Sequence, residues 1–124
     1  MESILKTVRK MTGVGENNPN FDVDLISDIN LVFMDLHQIG VGPKDVFSIN
    51  DEAEVWTDFI PEDSKTELKK AIPTYMYLKV KLLFDPPSGS AHIETINRQI
   101  EKCESRFNYA IELERLEEES QNGE

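Results

Sequence analysis

The chain has 124 residues, 39% hydrophobic and 30% charged, with a formal net charge of −11. That length gives one domain with a modest core that needs no metal or disulfide to hold it. The acidity excludes a sequence-independent grip on nucleic acid, because that grip comes from Lys and Arg on phosphates.

Residues 2–12 open the chain with Ile4, Leu5, Val8 and Met11 at helical spacing and Gly13 as a stop. A stripe this short must dock on something to be stable in water. The first ten residues, MESILKTVRK, lack the apolar core of a secretory signal. GVGENNPN, residues 13–20, is a loop by composition. Gly13-Val14-Gly15 is not a phosphate loop, since no Lys-Ser/Thr follows.

The clearest helix runs from Phe21 to Ile39, with Asp22 as N-cap and Phe21 and Ile26 as a hydrophobic staple. Leu25, Ile26, Ile29, Val32, Phe33, Leu36 and Ile39 form its broad apolar stripe, and Gly40 ends it. Residues 44–60 read as a short β-hairpin around 46–56, with Val46–Ile49 and Glu54–Trp56 as strands. Irregular chain, or one or two helical turns within Asp51–Phe59, are the alternatives. Trp56 and Phe59 are the covering groups, either as core filler or as an interface anchor. Asp51, Glu52 and Glu54 lie at the expected loop tip.

Ser64-Lys65-Thr66-Glu67 has the form of a capping box that opens the next helix. Pro73 falls inside it and predicts a kink or break. Beyond Pro73, TYMYLKVKLLFDPP is apolar on nearly every side, with Tyr75, Tyr77, Leu82, Leu83 and Phe84 assigned to core or subunit packing. Pro86 and Pro87 stop it. Ser90 caps the last helix, in which Ile93, Ile96, Ile100, Cys103, Phe107 and Ala110 step by three and four. Ala91–Leu116 would run ~39 Å, longer than the domain requires, so its far end is expected to project from the core. The expected fold is mainly α: a bundle of about four helices.

Charge is unevenly placed. Residues 16–63 carry 12 acids and one Lys, residues 64–111 carry 8 bases and 5 acids, and residues 112–124 carry 6 acids and one Arg. Such polarity can orient head-to-tail contacts between copies. Cys103 is alone, so no internal disulfide forms and a reducing compartment is expected. His37 and His92 have no ligand-spaced companions, and no Walker, nucleophile-elbow or zincin motif occurs. No apolar run reaches the ~20 residues that span a bilayer. Neither an enzyme, a cofactor nor a membrane partner is expected. What remains is a protein whose product is an interface.

Ile39-Gly40-Val41-Gly42-Pro43, Phe47-Ser48-Ile49, Trp56-Thr57-Asp58-Phe59 and Tyr77-Leu78-Lys79-Val80-Lys81-Leu82-Leu83-Phe84-Asp85-Pro86-Pro87 occur in that order. Together they resemble the head–tail connector, or portal adaptor, family of long-tailed double-stranded DNA bacteriophages and prophages. Pro73 departs from the uninterrupted helix of that pattern. The resemblance implies a structural virion protein of the neck, assembled in the host bacterial cytoplasm. It implies a homo-oligomeric ring, a dodecamer in the particle, that extends the DNA channel beneath the portal protein. Genomic DNA would pass through without sequence-specific binding, and a stopper or tail-joining protein would attach to the ring.

The same resemblance divides the chain into a helical connector domain, 1–111, and an acidic partner-docking extension, 112–124. It places portal docking at Phe107, Ile111, Leu113 and Leu116. Asp51, Glu52 and Glu54 become the expected lumen or neighbour-facing acids, since an acidic lumen repels phosphate. The competing reading is a small acidic helical regulator, or a DNA mimic, that binds a basic partner.

Overall fold

The computed structural model describes residues 2–122, and the side chains of residues 2–121. Five helices are assigned: α1, Ile4–Met11; α2, Asp22–Ile39; α3, Trp56–Phe59; α4, Thr66–Phe84; and α5, Ser90–Asn122. A 3-10 turn, Pro19–Phe21, leads into α2. The fold is mainly α, as the apolar periodicities predict. α4 is the central helix, packing against α5, α2 and α1, and α2 also meets α5 over a smaller contact. Its buried groups, among them Ile72, Tyr75, Met76 and Val80, form the centre of the core.

α1 begins where Ser3 Oγ accepts from the Lys6 amide at 3.3 Å. Its Ile4, Leu5 and Val8 are all buried, which supplies the docking that an eight-residue helix requires. α2 ends at Gly40, whose φ of 102° is left-handed. The Gly40 amide bonds Leu36 O and His37 O, and Val41 N bonds Leu36 O, a Schellman-type closure.

The expected hairpin around 46–56 does not form. The backbone of Ile49 pairs with a helix side chain instead of a strand. Ile49 N donates to Asn30 Oδ1 at 2.8 Å, and Asn30 Nδ2 donates to Ile49 O at 3.0 Å. The other half of the expected hairpin pairs with the start of the chain. Ile4 N bonds Glu54 O at 3.0 Å, and Ser3 and Val55 form an isolated antiparallel bridge. With both edges already partnered, 46–49 and 54–56 have no reason to meet. Trp56–Phe59 is then the single helical turn held open as an alternative.

Three helix starts also differ from expectation. Asp22 is the first residue of α2, not its cap, because its carboxylate is held by Arg9. Phe21 packs edge-on against Phe84, with centroids 5.7 Å apart. The Ser64 capping box does not form; Lys65 precedes α4 without a side-chain cap. Ser90 is the first residue of α5 rather than its cap. α4 is continuous through Pro73, and packing on both flanks holds it across the missing bond. α5 runs six residues past Leu116, through Asn122.

Candidate functional site

The positions singled out from the sequence fall into three groups. The first is the C-terminal stretch of α5. Phe107 is fully buried and packs edge-on against Tyr75, with centroids 5.2 Å apart. In the protomer it belongs to the core rather than to an open docking face. Ala110 is buried too. Ile111 is half-buried and lines a shallow groove of about 400 Å³ with Gly40, Pro43, Ile60 and Leu68. From Glu112 to Gln121 every described side chain is exposed except the half-buried Leu113, and Leu116 is 48% exposed. Beyond Ile111 little is buried, although the helix itself continues.

That free stretch is stiffened by charge pairs. Arg115 is bracketed by Glu112 and Glu119 one turn away on either side. Lys65 at the start of α4 reaches Glu117 at 3.2 Å and is the ion pair that ties this part of α5 back to the bundle among the described residues.

The second group is the acid cluster at 51–54, where each side chain has local work. Asp51 Oδ1 accepts from Ala53 N at 2.7 Å, an Asx-type turn. The Glu54 carboxylate accepts from Asn50 N at 2.9 Å and from Asp51 N at 3.3 Å. Glu52 Oε1 accepts from Arg9 Nη1 at 2.8 Å. Glu52 is therefore drawn inward to a buried cation, although its side chain stays 47% exposed.

Arg9 is the residue that sequence reasoning missed. It is 1% exposed and donates to Asp22, Glu52 and the Glu16 carbonyl. The neighbouring carboxylates hold its guanidinium above its usual pKa, against the opposing effect of burial. The one signal available was its spacing. Arg9 lies four residues after Leu5, on the buried side of α1.

The third group is packing. Phe59 sits in a cluster with Phe33 and Phe47, with centroids 4.7 to 5.4 Å apart. Trp56 is half-buried and donates from Nε1 to Thr7 Oγ1 at 3.2 Å. Tyr75 is fully buried and donates its hydroxyl to Glu104 Oε2 at 2.9 Å. Tyr77, Leu82 and Phe84 pack partly against the core, whereas Leu83 is 50% exposed and turns outward.

Chemistry-bearing groups stay scattered. His37 Nε2 lies 3.0 Å from Lys44 O, closing the turn after α2. Cys103 is buried, and burial pushes its thiol up in pKa despite the lowering effect of Arg106. No cluster of three or more metal-ligating side chains is present among the described residues. No described helix is long and apolar enough to cross a membrane.

No curated protein and no solved structure matches the chain. A family model described as "Phage connector protein" matches residues 4–114, which takes in all of α1 to α4 and α5 up to the point where its side chains leave the core. The buried core, the Gly40–Pro43 turn, the aromatic cluster and the FDPP helix end all lie inside that match, and this chain belongs to the phage connector protein family.

Proposed function

We propose that this protein is a structural, non-enzymatic part of the phage neck, whose copies form a ring beneath the portal. The ring, twelve-fold in the particle, extends the DNA channel and offers the attachment surface for a stopper or tail-joining protein. It assembles in the host cytoplasm and resides in the virion.

One observation carries the reading beyond family membership: α5 outruns its own core. Its last ten described side chains, 112–121, bury almost nothing within the protomer, yet stay helical and carry Leu113 and Leu116. A charged, stiff helix end with apolar groups on it suits insertion against a larger partner. The portal-docking segment is therefore placed at 112–124, with Ile111 at its root. Phe107 supports it from inside by anchoring the helix on Tyr75.

The surplus of acid supports a channel that lets DNA slide. Like charge repels phosphate, so the duplex is not gripped. Asp51 accepts from the Ala53 amide through Oδ1 alone, whereas Glu52 is drawn to Arg9 and both Glu54 oxygens accept from backbone amides. Asp51 is the acid assigned here to the lumen or to a neighbouring copy.

The test uses purified portal rings. The full chain should co-migrate with them, and a chain truncated after Ile111 should keep its helical spectrum but lose co-migration. Binding by the truncated chain would overturn the docking assignment. A full chain that ignores portal rings but binds a basic protein would overturn the neck reading itself. Electron microscopy of particles lacking this protein should show filled or leaking heads beside separate tails.

A further inference from the structure

α2 buries one side and leaves the opposite side without a charge. Val23, Ser27, Leu31, Met34 and Gln38 share that outward face by helical spacing, and all are exposed. Val23 is 85% exposed, Leu31 47% and Met34 50%. In a chain that is 30% charged, an exposed face this long with no ionic group is unusual. Beside it run Asp24 and Asp28, one turn apart, and neither has an ion-pair partner among the described residues. Partial burial and the nearby Asp24 charge both raise the pKa of Asp28.

The outer face of α5 carries the complementary series. Arg98, Lys102 and Arg106 follow at steps of four, all exposed and with no ion pair among the described residues. The same face then turns apolar at Tyr109, which is 64% exposed, Leu113 and Leu116.

The two series match in order and in spacing. Asp24, Asp28 and Leu31 are separated by four and three residues, and so are Lys102, Arg106 and Tyr109. Met34, three residues after Leu31, extends the apolar end of the α2 series. Each stretch covers about 15 Å at 1.5 Å per residue. Within one protomer the main packing partner of both helices is α4.

We propose that the outward face of α2 docks on the outward face of α5 of a second copy of this chain. Asp24 and Asp28 meet Lys102 and Arg106, and Leu31 and Met34 pack on Tyr109. The occupant is a second copy because opposite, unpaired charges and exposed apolar groups appear on both faces in one register. The contact uses different surfaces on its two sides, so it is head-to-tail and propagates around a closed ring. It rests on the ring reading above and assigns that ring its subunit interface.

The experiment is a charge-reversal exchange, with mass measured by sedimentation up to about millimolar concentration and on portal rings. D24K and K102E should each weaken self-association by about tenfold, because like charges now face each other. Mixing the two variants in equal amounts should restore association to within about threefold of the wild type, since every 24–102 contact in an alternating assembly is again opposite in sign. Restoration also shows that both variants fold. If the wild type assembles and the single variants assemble equally well, this interface is wrong and the ring reading stands. Single variants that fail and are not restored by mixing also overturn the pairing. A wild type that stays monomeric both alone and with portal rings overturns the ring reading and this interface together.

Discussion

Arg9 and Asp22, thirteen residues apart, meet as a two-point pair: Nε lies 2.9 Å from Oδ1, and Nη2 lies 2.6 Å from Oδ2. The remaining terminal nitrogen reaches Glu52 and the Glu16 carbonyl. One buried side chain thus joins α1, the loop after it, the start of α2 and the 51–54 loop. A planar fork with five donors can do this, and a lysine cannot.

Arg9→Leu keeps much of the apolar stem but leaves the Asp22 carboxylate without its cation. Removing one partner of a buried pair costs about 3 kcal/mol or more. Urea unfolding should show that loss, and Arg9→Lys should recover only a small part of it. A loss below about 0.5 kcal/mol would mean that the pair is a surface ornament.

Asn30→Ala should cost about 2 kcal/mol, because it strands both the N–H and the C=O of buried Ile49. Its effect should also be local. Amide hydrogen exchange at Ile49 should rise, while exchange in the α4–α5 pair stays near the wild-type level.

Gly42→Ala combines two penalties. Gly42 has φ of 101°, where a side chain is strained, and an added Cβ would lie 2.6 Å from Phe59 Cζ. Phe59 is wedged against Phe33 and Phe47, so the ring cannot easily move away. A loss of about 2–4 kcal/mol is expected from thermal or urea unfolding. A near-neutral result would mean that the aromatic cluster can relax.

Tyr75 gives a pH dependence with a definite sign. Burial, followed by the hydrogen bond to Glu104, raises its pKa above the ordinary value of 10.0. Below that value the hydroxyl is protonated in both folded and unfolded chains, and its contribution is fully present. Above it the unfolded chain releases the proton and the folded chain keeps it, so stability falls as pH rises. Urea midpoints from pH 8 to 11 should decline less steeply in Tyr75→Phe than in the wild type. Equal slopes would refute the assignment.

Much of the helical layout was legible because burial imposes a period that the sequence must carry. Leu25, Ile29, Val32, Phe33 and Leu36 mark one face of α2 whatever lies opposite. The hairpin expectation failed for the complementary reason. Val46–Ile49 has strand-like composition, but its partner is Asn30, a side chain on a helix distant in sequence, and no local pattern encodes that meeting. Arg9 was hidden likewise, since Lys6 and Lys10 beside it are ordinary partly or fully exposed cations. At 107–116 spacing could follow the helix but could not say where its cover ends, so Phe107 was grouped with groups that lie outside.

The bond from Ile4 N to Glu54 O joins positions roughly fifty apart, whereas α4 and α5 are linked by a five-residue turn, 85–89. Closing the long loop costs more chain entropy than closing the short one, so the α4–α5 hairpin should form first and serve as the template on which the N-terminal half condenses. During synthesis the ribosome delivers that template after the N-terminal half. Nascent chains halted before Phe84 should therefore remain protease-sensitive, and protection should appear late and in a single step once α5 emerges.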